Sequence, residues 1–164
     1  MRYILNHLQG QGMQIKVDKL SHPAVAKLLE EHMDDMNATS PPESVHALNR
    51  EELQHPDTIF WTSWKENELL GCAAIKPISD SHVELKSMRT IAEARNKGVA
   101  SALLLHIIVQ VKNDGYQRIS LETGSMSFFK PARELYKKFG FKYCSPFANY
   151  QPDSNSNFMT LELG

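Results

Sequence analysis

The segment with the clearest capacity for chemistry is a short basic stretch that contains one glycine, Arg95-Asn96-Lys97-Gly98-Val99-Ala100. Apolar residues follow it at helical spacing, which predicts a loop that leads into a helix. The first turn of a helix offers unpaired backbone N–H groups and the positive end of the helix dipole, and a glycine lets a ligand approach the backbone closely. With the charges of Arg95 and Lys97, these features predict a site that can hold a pyrophosphate. The residues alone also allow a plain turn that connects a strand to a helix.

The composition of the chain limits the class of its partners. Its 164 residues include 18 Lys and Arg and 19 Asp and Glu, which gives a formal net charge of −1. Such a chain has no overall positive field for a nucleic-acid backbone, so we expect no nucleic-acid partner, and any bound anion must be held locally. The two cysteines, Cys72 and Cys144, make neither a disulfide framework nor a zinc motif. We therefore expect a cytoplasmic protein.

The length of the chain fits one domain. Residues 1–12 contain one basic residue and no apolar run long enough for the core of a signal peptide, so we expect a disordered tail before a single domain over residues 13–164. The most apolar stretch, Val99 to Val111, includes polar residues and is shorter than the roughly 20 residues that span a bilayer, so we expect no membrane partner. No pair of histidines has the spacing of metal ligands, and we expect no metal.

Helices and strands alternate along the chain in an order that would position the basic loop. Three strands that follow two helical segments have the pattern of an antiparallel meander. A strand, the helix that begins after Gly98 and a further strand then make a βαβ unit, in which the two strands are parallel. The sequence therefore predicts a mixed α/β fold. The predicted helices cover residues 23–36, 43–54, 99–111 and 131–139, and the predicted strands cover 13–17, 58–64, 69–75, 82–90, 118–121, a short segment from 141, and 157–163.

Several motifs, in this order and spacing, resemble the GNAT superfamily of acetyl-CoA-dependent N-acyltransferases. They are ELKSMRT at 84–90, RNKGVA at 95–100, LETG at 121–124 and ELYKKFGF at 134–141. Three further segments are similar to a bacterial subgroup of the YsnE type: SPPESVHAL at 40–48, ETGSMSFFKPARELY at 122–136 and PFANYQPDSNSNFM at 146–159. The resemblance covers about residues 13–163. It implies a GNAT-like fold, in which an antiparallel meander and a parallel βαβ step meet at a splayed central pair of strands.

The resemblance also implies acetyl-CoA as co-substrate. In such enzymes an R/Q-x-x-G-x-G/A loop holds the cofactor pyrophosphate, and Ala100 stands here at the last position. The pantetheine arm would pair with the main chain of a strand, as an added strand does, so its residues would contribute backbone groups. The implied cofactor-binding residues are Met88, Arg89, Thr90, Arg95, Asn96, Lys97, Gly98, Val99, Ala100 and Ser101.

Two residues are candidates for proton transfer. The resemblance implies that Tyr136 protonates the departing CoA thiolate, whereas its residue type and surroundings alone fit a core aromatic equally well. Glu84 lies where the histone-acetylating branch carries its catalytic carboxylate, and it could draw a proton from an ammonium through water. A solvated or paired strand carboxylate is the alternative for Glu84. Glu43 and His46 compete for the role of base, and His46 fits a substrate contact better.

The acceptor side is predicted from two segments that would meet across the groove from the cofactor. They would bring together Glu43, His46, Tyr150 and Asn155 as substrate-binding residues. The function expected from the resemblance is an N-acetyltransferase that moves an acetyl group to the primary amine of a small molecule, by direct transfer in a ternary complex. A protein or peptide amino group as acceptor, and a non-catalytic CoA-binding sensor, are the alternatives. A homodimer is compatible with either.

Overall fold

The computed structural model of the protein describes residues 13–45 and 50–164. The expected tail at residues 1–12 and the candidate His46 lie outside the described residues. The described part of the chain forms a seven-stranded mixed sheet with helices on both faces. None of the helices in these two ranges has both the length and the apolar character that crossing a bilayer requires.

The sheet has the strand order β1-β2-β3-β4-β5-β7-β6. Among the strand pairs of the described residues, the pairing of β4 with β5 is the only parallel one, and the other pairs are antiparallel. This is the predicted meander joined to a parallel step, with the last strand inserted between its two predecessors. The strands are β1 (Met13–Val17), β2 (Ile59–Lys65), β3 (Glu68–Pro77), β4 (His82–Thr90), β5 (Arg118–Gly124), β6 (Lys142–Cys144) and β7 (Ser156–Glu162).

The helices are α1 (Pro23–Thr39), α2 (Arg50–Leu53), α3 (Val99–Asn113) and α4 (Lys130–Lys138). Helix α1 covers one face of β2 and β3, where Val25 and Leu28 pack in a core with Phe60 and Trp64. Helices α3 and α4 cover the opposite face in a second, larger core. Alternate residues of β4 therefore point to different layers, since successive side chains of a strand point to opposite faces.

The central strands β4 and β5 diverge along their length. Their register runs only from His82 beside Arg118 to Leu85 beside Leu121. Beyond this point β5 continues its pairing with β7, whereas β4 stays with β3. A β-bulge breaks the β3–β4 register at Ser87, whose φ of 55° is left-handed. Bulges bend a strand and increase its twist, and this one lies where β4 leaves β5. The gap between the two strands is the splay that the resemblance implied.

The predicted helix over residues 43–54 is wrong at its start. The structure has a short 3₁₀ turn at Pro42–Ser44, which ends at an extended Val45, and helix α2 covers part of the rest of the predicted range. Residues 46–49 lie outside the described residues. Proline fixes its own φ and disfavours a helical conformation for the residue before it, so Pro41-Pro42 favours an extended entry into a tight turn.

Candidate active site

The basic loop connects β4 to α3 and has two left-handed residues. Asn96 has a φ of 64° and Gly98, the N-cap of α3, a φ of 83°. No side chain of the described residues caps α3, so the N–H groups of its first turn remain available for an anion. Residues 95–98 are exposed, Val99 is buried in the core, and Ala100 and Ser101 are half-buried. This geometry fits a phosphate held by backbone groups, with Arg95 and Lys97 beside it.

The second half of β4 leaves one backbone edge unpaired with β5. Residues Met88, Arg89 and Thr90 lie beyond the last β4–β5 pair. The Arg89 side chain turns toward α1, where Nη2 is 2.6 Å from Asp35 Oδ2, whereas Met88 packs toward α4. The cofactor-facing contribution of this segment can therefore come from its main chain, as the resemblance implied.

A pocket opens between the splayed strands. Its walls come from β4, β5, α1, α4, the turn before α4 and the loop before β7. Its lining residues are His32, Met36, Glu84, Leu85, Lys86, Ser87, Met88, Leu121, Glu122, Thr123, Phe129, Ala132, Tyr136 and Tyr150.

Tyr136 reaches this pocket from α4. The side chain of Arg133 fixes the start of that helix, because Nη1 donates to the carbonyl oxygens of Gly124 at 2.7 Å and Met126 at 2.9 Å. Tyr136 is 7% exposed, and the only hydrogen-bond partner of its hydroxyl among the described residues is the Met88 sulfur at 3.8 Å. Burial, and then the charge of Glu122, raise the pKa of Tyr136 above its usual range. The phenol is thus a protonated donor with no strong partner.

Glu84 belongs to a tight polar cluster on the α1 side of the sheet. Its Oε2 accepts hydrogen bonds from the Tyr150 hydroxyl at 2.5 Å and from Lys86 Nζ at 3.2 Å. Lys86 Nζ also donates to the Tyr150 hydroxyl at 2.8 Å. The side chains of Glu84 and Lys86 are 7% and 9% exposed, so this is an ion pair inside the pocket wall. The two donors hold the Glu84 carboxylate in a fixed position.

Glu122 is a second carboxyl group in the same pocket, and the sequence analysis did not identify it. Burial raises its pKa from 4.5 to about 7, although the Ser156 side chain and the charge of Lys86 act in the opposite direction. The charges of Glu84 and Asp153 contribute smaller increases. It has no ion-pair partner in the described part of the chain. The signal that could have found it is a charged residue between the buried Leu121 and Thr123 in LETG, since a lone carboxylate among buried residues commonly has a functional role.

His32 on α1 is the other pocket residue with an unusual titration. Burial, and then the charge of Arg89, lower its pKa to about 4, so its imidazole is neutral at physiological pH. In the sequence, His32 lies among the apolar residues of the helical pattern of α1, as a core residue would. It reaches the pocket because α1 packs over the gap between β4 and β5.

The two acceptor segments meet in the structure. Ser44 Oγ donates to Asp153 Oδ2 at 2.5 Å and joins the turn after α1 to the loop before β7. Of the described candidates on these segments, Tyr150 lines the pocket, while Glu43 is exposed beside Ser44. The Asn155 carbonyl accepts from the Ser125 N–H at 3.0 Å and this residue is not part of the lining.

Other reactive groups lie apart from this pocket. Cys72 is fully buried, and burial raises the pKa of its thiol to about 12. Within residues 13–45 and 50–164, no three acidic, histidine or cysteine side chains are grouped as metal ligands would be.

Comparison with known proteins gives one consistent answer. The model of the acetyltransferase (GNAT) family matches residues 25–141. The chain is 52% identical over 151 residues to the uncharacterized N-acetyltransferase YsnE of Bacillus subtilis (strain 168), a match that covers 92% of this chain and 100% of that protein. It is 44% identical over 149 residues to the uncharacterized N-acetyltransferase YedL of Escherichia coli (strain K12), with 91% and 94% covered.

Solved structures share the fold. A GNAT family acetyltransferase from Elizabethkingia anophelis with acetyl-CoA bound matches with a TM-score of 0.65 at 19% identity, and the match covers 92% of this chain and 98% of that one. The mixed sheet with one parallel pair is thereby confirmed as a GNAT fold. With a family model over most of its length and close relatives of the YsnE type, the chain belongs to the GNAT family of acetyltransferases.

Proposed function

We propose that this N-acetyltransferase moves an acetyl group from acetyl-CoA to the primary amine of a small molecule, by direct transfer in a ternary complex. The observation that carries the proposal is the pocket in the splay, where the Tyr136 hydroxyl and the carboxyl groups of Glu84 and Glu122 converge beside the unpaired edge of β4. A proton donor and a proton acceptor in one pocket are what transfer to an amine needs.

The cofactor would be held by groups that the chain leaves available. The uncapped first turn of α3 and the loop from Arg95 to Ser101 suit the pyrophosphate, and the backbone of Met88, Arg89 and Thr90 suits the pantetheine amides. The loop with the first turn of α3 and the backbone of β4 both supply mainly N–H groups. The side chains of the loop can therefore differ as long as its backbone geometry is kept.

The reaction removes two protons from the acceptor nitrogen and supplies one to the leaving thiolate. The acceptor ammonium loses one proton to the base, its nitrogen then forms a bond to the thioester carbonyl carbon, and the C–S bond breaks as the thiolate is protonated. The new amide nitrogen loses its second proton, which returns to the group that protonated the thiolate. We assign Tyr136 as the donor to the thiolate, because its hydroxyl is protonated and lacks a strong partner. We assign Glu122 as the base in preference to Glu84, because a carboxyl with a pKa of about 7 is matched to neutral pH. Glu84 would then position Lys86 and Tyr150.

Different observations support direct transfer of the acetyl group and a small-molecule acceptor. No cysteine lines the pocket among the described residues, and the Cys72 thiol is buried and protonated, which leaves no thiol to carry the acetyl group. The Ser44–Asp153 hydrogen bond joins the two acceptor segments, and Tyr150 of one of them lines the pocket, which supports a compact acceptor held between fixed segments. Two free cysteines support a cytoplasmic location.

The test is an assay of purified protein with acetyl-CoA and a panel of amines, amino acids and peptides, followed by release of free thiol and by the mass of the product. We expect transfer to at least one small amine and none to peptides of basic sequence. Transfer only to peptides would replace the proposed acceptor class. Binding of acetyl-CoA without transfer to any panel member would favour the sensor.

A further inference from the structure

The Lys86 ammonium is the pocket feature that transfer to a simple amine does not explain. An ammonium has three N–H donors, and the described residues provide Lys86 with two oxygen partners, Glu84 Oε2 and the Tyr150 hydroxyl. With the side chain 9% exposed, a third N–H without an acceptor is costly. Glu84 balances the charge of Lys86, and transfer to a simple amine makes no use of the remaining donor.

Ser87, the next residue, is a second donor in the same wall. The residue is 8% exposed, and its hydroxyl has no hydrogen-bond partner among the described residues. Its left-handed φ of 55° at the bulge holds the residue in the pocket lining beside Lys86. Two neighbouring donors that lack acceptors indicate that a ligand oxygen completes this wall.

Glu122 on β5 is the complementary group of the pocket. In the described part of the chain, Lys86 forms an ion pair with Glu84 and Arg89 with Asp35, whereas Glu122 forms no salt bridge. Leu85 and Leu121 are the last register pair of β4 and β5, so the residues after them, Lys86 and Glu122, lie on the same face at the point where the strands part. The pocket therefore has a carboxyl group without a salt bridge on β5 and hydrogen-bond donors with free capacity on β4.

We infer that the acceptor is a small amino acid with a free carboxylate, whose ammonium lies at Glu122 and whose carboxylate binds the third N–H of Lys86 and the Ser87 hydroxyl. This inference rests on the proposed N-acetyltransferase function and names its substrate class. The ammonium of the ligand matches the Glu122 carboxyl, and its carboxylate supplies the oxygens that the third N–H of Lys86 and the Ser87 hydroxyl lack.

Matched trios of compounds test the inference: an amino acid, its carboxamide and the amine that lacks the carboxyl group, for an aromatic, an aliphatic and an acidic side chain. We expect kcat/KM to be about tenfold or more higher for the amino acid, since a hydrogen bond to a charged group contributes about that factor. Equal or better use of the decarboxylated amines would overturn the inference and leave the N-acetyltransferase function standing. No transfer to any compound in the trios would overturn both.

Variants locate the carboxylate. Lys86→Met removes the donors and keeps much of the stem, and we expect it to reduce the preference for the amino acid to about one. Ser87→Ala should reduce the preference in part, and it keeps the Glu84–Lys86 ion pair if Lys86→Met does not fold. Lys138→Met, at an exposed position at the end of α4, is the matched control and should keep the full preference. An unchanged preference in both pocket variants would remove Lys86 and Ser87 from the carboxylate site.

Discussion

Replacing Glu122 by glutamine should stabilise the protein above neutral pH and remove the proposed base. Burial raises the pKa of Glu122 from 4.5 to about 7 in the folded protein. Between these two values the unfolded chain has released the proton while the folded chain still holds it, so the free energy of unfolding of the wild type falls as pH rises. Each unit corresponds to about 1.4 kcal/mol, which gives a loss of about 3 kcal/mol by pH 7. A glutamine has no proton to lose and avoids this loss.

The assay is urea unfolding of wild type and Glu122→Gln at pH 5, 6, 7 and 8. We expect the stability of the variant relative to wild type to increase by about 2.5 kcal/mol across this range, because part of the loss has already occurred at pH 5. Glu68→Gln, at an exposed position on β3, is the matched control and should show a nearly constant difference. If Glu122→Gln also shows a constant difference, the carboxyl is well solvated and the argument from burial is wrong.

Measurements of activity test whether Glu122 is the base, separately from the effect of its burial on stability. The base must be ionised, so kcat/KM of the wild type should rise with pH and level off above about 7. Glu122→Gln should lose roughly 10²-fold or more of kcat/KM together with this rise. A stabilised variant with normal turnover would transfer the role of base to Glu84, for which Glu84→Gln is the decisive variant.

Three further substitutions examine the other parts of the site. Gly98→Glu places bulk and negative charge at the uncapped start of α3, and we expect calorimetry to show no binding of acetyl-CoA. Gly115→Glu is the control, because Gly115 also has a left-handed φ, of 91°, with open space around it. This variant should carry a comparable backbone strain and bind acetyl-CoA normally. Tyr136→Phe should lower kcat by roughly 10²-fold at unchanged cofactor affinity, and near-normal turnover would make Tyr136 a packing residue. Tyr150→Phe removes the hydroxyl that bonds Glu84 and Lys86, and should raise the KM for the acceptor while the Kd for acetyl-CoA stays the same.

The parts of the fold that were predictable from the sequence are those with local causes. Helix α3 begins after Gly98 as predicted, because an apolar stripe of helical period and a residue that tolerates positive φ stand together in the chain. Strand β4 has the predicted bounds His82–Thr90, with Val83 and Leu85 alternating with polar residues in its first half. The bulge at Ser87 in its second half was not predicted. The position of β7 between β5 and β6 has no such local signal, because strand order depends on which edges remain free when the sheet assembles.

The pocket was less predictable than the cofactor loop. Glu84 could be placed on a strand, but the face it points to depends on α1 and on the loop that carries Tyr150, 66 residues away. The importance of Glu122 follows from burial, which arises only when β4 and β5 part and other elements close the gap. Periodicity identifies the elements of such a site, and their packing decides which side chains share a solvent-poor space.

The short pairing of β4 with β5 also makes this boundary the weakest strand contact in the middle of the sheet. Strands β1–β4 form one part of the sheet and β5, β7 and β6 the other. In the described residues, the β4 side of this boundary pairs with β5 only over the short stretch from Ser81 to Leu85. A ligand can connect the two parts of the sheet if its amides pair with the open edge of β4 and its other end contacts β5. Its binding free energy then also stabilises the two parts against separation. Ligand binding in the active site should therefore stabilise the whole domain. The increase in melting temperature then reports how well a candidate ligand connects β4 and β5.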